Sequence, residues 1–223
     1  MNYSPLFEPI RPRAVLSNRR LAPDAFVLTL ERRQDLVRAG RHVSLGLPGS
    51  ETRAYSLFSG EDDPHLEVLV RRVEGGRVSP QLAVLQEGDL VKVEPPRGGF
   101  TLAPVQAGEK LLFLATGTGI APFRSFVRSR PELDYTLVHG VRDGVDDFGA
   151  EFADPLRRVL CVSGPVVPPG AFAGRITSWL DEADLTVYHR VYLCGNARMI
   201  LEALPKLVDR GLDEERIHTE TYF

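Results

Sequence analysis

The 223-residue chain carries 27 Lys and Arg against 30 Asp and Glu, a formal charge of −3, with 43% hydrophobic and 26% charged residues. That balance fits a folded protein of one large or two modest domains; lacking a long basic run, it excludes nucleic acid as the main partner. Cys161 and Cys194 lie far apart in apolar runs, which excludes a disulfide scaffold and an all-cysteine iron–sulfur cluster. No metal site is expected. The start, MNYSPLFEPI, lacks the layout of a signal peptide, and no apolar stretch nears membrane-spanning length, so a cytoplasmic protein without membrane contact is expected. Basic residues recur early, in RPR, NRR, ERR and VRR. A cationic face for an acidic partner and a scatter of solvated arginines both fit them.

In chain order, the first hundred residues read as short strands between turns. DAFVLTLERR alternates Phe26, Leu28 and Leu30 with Val27 and Thr29, the two-residue period of a strand. LEVLVRRV repeats it with Leu66, Val68 and Val70, and GDLVKVEPP is another brief strand. The turns LPGS, GEDDP, EGG and PPRGG separate them, which predicts an antiparallel barrel or sandwich. One helix interrupts it, SPQLAVLQEG, with Ser79 as N-cap, Pro80 at the first helical position and Gly88 at the exit. After a boundary near Pro96 to Leu102 the pattern changes. KLLFLATG, YTLVHGV, RRVLCVSG and HRVYLCGN are nearly unbroken apolar runs, suited to parallel strands buried on both faces. Helical windows APFRSFVRSR, GRITSWLDEA and ARMILEALPKLVDRG alternate with them, predicting a doubly wound α/β half.

Three motifs carry chemistry. ATGTGIAP, with Thr116, Gly117, Thr118 and Gly119, leads from a strand into a helix, and free N–H groups there attract a pyrophosphate. Pro122 replaces the third glycine of the dinucleotide fingerprint, and a purely structural turn is the competing reading. In RAYS, Arg53 and Tyr55 share a face, flanking Ala54 and followed by Ser56. A cation beside a ring can hold a phosphate and stack a heterocycle; a surface arginine and half-buried tyrosine look identical. In EGGRVSPQL, Gly75 and Gly76 bend the chain, and the first-turn amides of the helix that Ser79 caps could meet a second diphosphate, though a plain turn and cap needs no ligand. The chain stops on HTETYF. As a last strand it puts His218, Glu220 and Tyr222 on one side, and Thr219, Thr221 and Phe223 on the other.

Taken in one order, RxYS, GGxxS, GTGxxP, LCGN and a terminal E-x-Y resemble the ferredoxin–NADP⁺ reductase family, the bacterial flavodoxin/ferredoxin reductases in particular. The resemblance covers nearly the whole chain. It implies a Greek-key FAD-binding barrel over residues 1–99 and an NAD(P)-binding α/β half over 100–223, with 218–223 returning to the flavin. Arg53 would bind the FAD diphosphate, Tyr55 would stack on the isoalloxazine and Ser56 would sit near flavin N5. Gly76, Val78 and Ser79 would hold the FAD diphosphate, and Gly117, Thr118 and Gly119 the pyrophosphate of the nicotinamide nucleotide. Cys194 and Gly195 would border the nicotinamide. Glu220 matches a carboxylate that assists proton exchange, Tyr222 would cover the flavin, and Phe223 would pack on the FAD adenine.

A small core residue for Cys194, a solvated terminal carboxylate for Glu220 and an aromatic plug for the last rings compete with those roles. For His139, a core or surface position is favoured over a cofactor contact. Relatives that prefer NADP carry Ser-Arg after the third parallel strand. Here Ser163 is followed by Gly164, while Arg142 and Arg175 remain. The resemblance therefore implies NADP(H) ahead of NAD(H), with a weakened preference that Gly164→Arg is expected to restore. It implies an enzyme passing electrons between NADPH and ferredoxin or flavodoxin, and a monomer is expected. An oxygenase reductase component or a free flavin reductase is the alternative, and a non-catalytic redox or nucleotide sensor is the reading from another class.

Overall fold

The structure, a computed structural model, describes residues 12–33 and 37–222. Its first half is a six-stranded antiparallel sheet of β1 (Arg13–Ala22), β2 (Ala25–Glu31), β3 (His42–Gly46), β4 (Arg53–Ser56), β5 (His65–Arg71) and β6 (Leu90–Val93). The spatial order is β4-β3-β6-β1-β2-β5, and a bridge from Leu57 to Val68 brings the two outer strands together. The alternating residues Leu28, Leu30, Leu66, Val68 and Val70 fill the interior of this barrel.

A single helical turn, α1 (Ser79–Leu82), follows β5 and buries Leu82 in that interior. Two details differ from the sequence reading. Ser79 is the first helical residue rather than the cap: its Oγ accepts the Val73 N–H at 3.0 Å, closing the preceding turn. The helix also ends well before Gly88, which instead adopts φ +90° in the turn entering β6.

The second half is a parallel sheet of β7 (Lys110–Thr116), β8 (Asp134–Val141), β9 (Arg158–Val162), β10 (Phe172–Ala173), β11 (Arg190–Asn196) and β12 (Ile217–Tyr222). Its order, β10-β9-β8-β7-β11-β12, reverses direction between β7 and β11. Ligands of doubly wound sheets bind outside the carboxyl ends of strands at such a reversal. Helices α3 (Ile176–Glu182) and α4 (Ala197–Asp209) cover one face, over Leu112, Leu114, Val191 and Leu193. Trp179 of α3 is partly buried against that cluster. Helix α2 (Ala121–Ser129) covers the other face, where Phe113 stacks on Phe123 at 4.8 Å.

The strand period of two explains this division: 112 and 114 face one way, 111, 113 and 115 the other. The α2 side has no boundary with the barrel. Val27, Phe58, Leu69 and Phe100 belong to the same apolar cluster as Phe113 and Tyr192. A polar clamp fixes the contact. Asp63 takes a bidentate bond from Arg128 at 2.7 and 2.5 Å, Ser125 donates to the Ser59 carbonyl at 2.6 Å, and Arg124 meets Glu67 at 2.7 Å. Among the described residues no helix is long and apolar enough to cross a membrane.

Candidate functional site

The glycine turn after β7 is a short 3₁₀ segment, Gly117–Ile120, which passes into α2. Its two glycines do different work. Gly117 has φ +52° and no atom within 4 Å of where a Cβ would stand, so its backbone faces open space. A Cβ on Gly119 would meet the Cys194 carbonyl at 2.5 Å and Gly195 Cα at 2.6 Å. Gly119 therefore packs closely against the end of β11. Buried His139 holds the turn, its Nε2 donating to the Gly117 carbonyl at 2.9 Å. Of the core and surface positions expected for His139, the structure shows the core one, and the ring also positions the glycine turn.

Around this turn lies a cavity of about 530 Å³ that gathers Thr116, Gly117, Thr118, Arg142, Ser163 and Arg175, with Gly195 and Tyr222 at its β11–β12 side. Gly195 has φ +130°, and a Cβ there would strike Thr116 Oγ1 and meet its N at 3.1 Å. Thr116 Oγ1 in turn accepts the Asn196 N–H at 2.8 Å, tying β7 to β11. Four charged lining residues escaped the sequence reading: Arg71, Asp146, Arg198 and Glu202. Arg71, at the end of β5, bonds Asp146 at 2.7 Å and Asp24 at 2.9 Å. No short-range pattern links 71 to 146, and only the fold brings them together. Arg198 was legible in principle, since Asn196 caps α4 through the Arg198 N–H and so sets the first turn at the cavity.

The expectation for Gly164→Arg is revised. Any Cβ at Gly164 would run into the Arg142 carbonyl oxygen, with its carbon at 3.3 Å, so an arginine there displaces the strand end before it can reach a ligand.

A second, drier cluster joins the barrel to the parallel sheet. Ser56, at the end of β4 and buried, donates from Oγ to Glu220 Oε2 at 3.1 Å. Cys194 Sγ lies 3.9 Å from the same oxygen, and the strand register sets Cys194 directly beside Glu220. Burial pushes the Glu220 carboxyl up, against the hydrogen bonds from Ser56 and Cys194. Burial likewise raises the Cys194 thiol well above its ordinary range, and the neighbouring Glu220 charge adds to this. The Cys194 thiol is therefore a proton-bearing donor, not a thiolate nucleophile. Tyr222 Oη is buried here without a hydrogen-bond partner. Burial drives that phenol well up, with Cys194 and Glu220 adding to the shift and Ser56 opposing it. β12 runs as a strand, so His218, Glu220 and Tyr222 do share one side, with the His218 ring stacked on Tyr192 at 4.5 Å. Phe223 lies outside the described residues.

The barrel residues form a third locus, apart from the cavity. Arg53 and Ala54 are exposed on β4, and Tyr55 is half-buried against the barrel core, its phenol pushed up to about 12 by burial despite Arg53. The carboxylate of Glu51 lies between Arg77 (3.2 Å) and Arg53 (3.9 Å), so two guanidinium groups already hold an anion beside Gly76. Val78 points into the core, leaving only its backbone for a ligand. These features fit a flat, anionic cofactor: a half-exposed ring, a place between two arginines for negative charge, and an orphaned buried hydroxyl at the junction.

The comparisons with known proteins agree. Residues 15–102 match the oxidoreductase FAD-binding domain. The chain is 33% identical over 187 residues to the flavodoxin/ferredoxin–NADP reductase of Escherichia coli, covering 73% of this chain and 75% of that one. It is 28% identical over 232 residues to reductase component 2 of a Comamonas terephthalate 1,2-dioxygenase, covering 93% and 67%. In fold it matches a ferredoxin NADP⁺ reductase structure from Neisseria gonorrhoeae with a TM-score of 0.85 at 24% identity, over 97% of this chain and 100% of that one. The FAD and NADP(H) implied by the sequence are the cofactors of this family. With its antiparallel barrel, its parallel sheet and these matches, the chain belongs to the ferredoxin–NADP reductase family.

Proposed function

We propose that this chain is an FAD-dependent reductase that moves electrons between NADPH and a small acidic carrier protein, a ferredoxin or flavodoxin. The observation that carries this reading is the Ser56–Glu220 hydrogen bond with Cys194 against it, made by three strands from two different sheets. A purely structural contact would seldom withdraw a carboxylate there with one hydroxyl at hydrogen-bond distance and only the Cys194 thiol and the His42 ring, each at 3.9 Å, beside it. When bound, FAD would supply a centre that accepts two electrons together and releases them singly.

The chain's own part is positional. Arg53, with the backbone of Gly76, Val78 and Ser79, would hold the FAD diphosphate, and Tyr55 and Tyr222 would bracket the flavin ring. Ser56 would orient a proton toward the ring, with Glu220 as its exchange partner, held protonated over a wider pH range than an ordinary glutamate. Gly117 and Thr118 would take the nucleotide pyrophosphate, and Arg142, Ser163 and Arg175 the adenosine phosphate. Gly195 would leave space for the nicotinamide. Residues 1–99 would thus serve the flavin, 100–223 the nucleotide, and the 218–223 segment would close the junction as a monomer's own lid.

A visible spectrum of the FAD-loaded protein, titrated with NADPH and separately with NADH, tests the reading. Bleaching of the flavin band by either nucleotide supports an NAD(P)H-dependent reductase, and a ferredoxin or flavodoxin should then reoxidise it. A protein that cannot be loaded with FAD would sink it. Service to an oxygenase is the second reading, favoured by the dioxygenase reductase that matches 93% of this chain.

A further inference from the structure

The four arginines of the cavity are not equivalent. Arg71 is matched by Asp24 and Asp146. Arg198 is matched by Glu202, one helical turn on, with Nε 2.7 Å from Oε1. Arg142 and Arg175 join no ion pair among the described residues. The Glu202 carboxylate lies in the field of Arg175 as well: the bond from Arg198 holds it below the usual range, and the charges of Arg198, Arg175 and Lys206 contribute. Arg198, on the α4 side of the cavity, is thus already paired with Glu202, while Arg175 lines the same cavity without an ion-pair partner among the described residues. The loop opposite cannot add a side chain at Gly164, because the Arg142 backbone fills that space. Discrimination between ligands that differ by one phosphate falls to the α4 side.

We propose that Glu202 sets the nucleotide preference of this chain, by competing with a ribose 2′-phosphate for Arg198 and Arg175. The proposal rests on the reading of this cavity as the nicotinamide-nucleotide site. A 2′-phosphomonoester brings up to two negative charges against a fixed carboxylate, whereas an unphosphorylated ribose offers hydroxyl donors that the same carboxylate accepts. Glu202 thus disfavours the phosphorylated nucleotide and favours the other. It touches the ligand's recognition group and not the reacting atoms, so it is a specificity residue.

The experiment is equilibrium titration of the FAD-loaded protein with 2′,5′-ADP and with 5′-ADP, in Glu202→Gln, Arg198→Gln, the double variant and the wild type. Glu202→Gln should bind 2′,5′-ADP on the order of 5-fold more tightly, as expected from removing one exposed like charge. Its affinity for 5′-ADP should stay level or weaken, and kcat/KM should shift toward NADPH by the same factor. In the Arg198→Gln background the effect should shrink, since Arg198 is one of the two competed groups. Asp209→Asn, at the far end of α4, controls for net charge and should change neither affinity. Equal binding of both ADPs before and after Glu202→Gln would overturn the proposal while leaving the site reading intact. If neither ADP binds the wild type, the site reading fails and takes the proposal with it.

Discussion

The junction around Glu220 and the cavity around Arg142 and Arg175 meet at the carboxyl end of β11, yet they are prepared in opposite ways. At the junction, the groups are largely withdrawn from water and polar partners are few. Ser56, Cys194 and Tyr222 are brought against one carboxylate, and burial raises all three titratable groups. In the cavity, charge is abundant, exposed and incompletely paired. Low dielectric makes each group in the first region consequential, so one substitution there changes chemistry. In the second, solvent screens each charge, and affinity and specificity arise from several small contributions. A reductase needs both: a dry place for proton and electron exchange, and a wet one for reversible binding of a soluble nucleotide.

The largest expected effect lies where the two regions touch. Gly195→Ala forces a side chain onto Thr116 at φ +130°, and should cost about 2–4 kcal/mol in denaturant unfolding together with nearly all nucleotide-dependent flavin reduction. A well-folded, active variant would show that the regions are not coupled there.

Next, Glu220→Gln should slow electron delivery about 10²-fold while FAD stays bound. It should also alter the pH dependence of stability. The raised carboxyl contributes fully below the ordinary glutamate range, and its contribution is lost as pH rises through the raised value. The glutamine variant should lack that loss, so it gains on the wild type from the acid range toward neutrality. Parallel stability curves would mean that Glu220 is not held in a dry site.

Asp63→Asn tests the clamp that holds both regions in register, with an expected loss of about 2 kcal/mol at neutral pH. Burial alone would raise the Asp63 carboxyl; Arg128 and the Gly60 N–H outweigh it and lower it, so the clamp should weaken as pH falls through that depressed value. Smallest is Tyr222→Phe. Removing a buried hydroxyl without a partner should leave stability unchanged or raise it by about 1 kcal/mol. A clear loss would reveal a bond to Ser56 or Cys194.

What the sequence revealed follows the same division. The strands Lys110–Thr116 and Arg190–Asn196, the side of β12 that carries Glu220, and the glycine turn were all visible in period and spacing. Each is a local property of adjacent residues. The Arg71–Asp146 and Glu51–Arg77 pairs were not visible, because they depend on which loops the fold brings together. Ser79 was misread for a related reason. A serine before proline looks like a cap, but a tight turn six residues upstream supplied a competing donor, the Val73 amide. The close packing of Gly119 and Gly164 against backbone was likewise not visible, because the strands that meet them are distant in sequence.

Trp179 is the chain's single tryptophan, set one helical turn beyond Arg175 and partly buried against the sheet. Its emission therefore comes from one known place, on the helix whose first residues line the cavity. The molecule carries its own optical gauge of that cavity. Titrating the native chain with 5′-ADP, which does not absorb in the tryptophan emission range, and reading its intrinsic fluorescence tests without a label whether occupancy reaches Trp179.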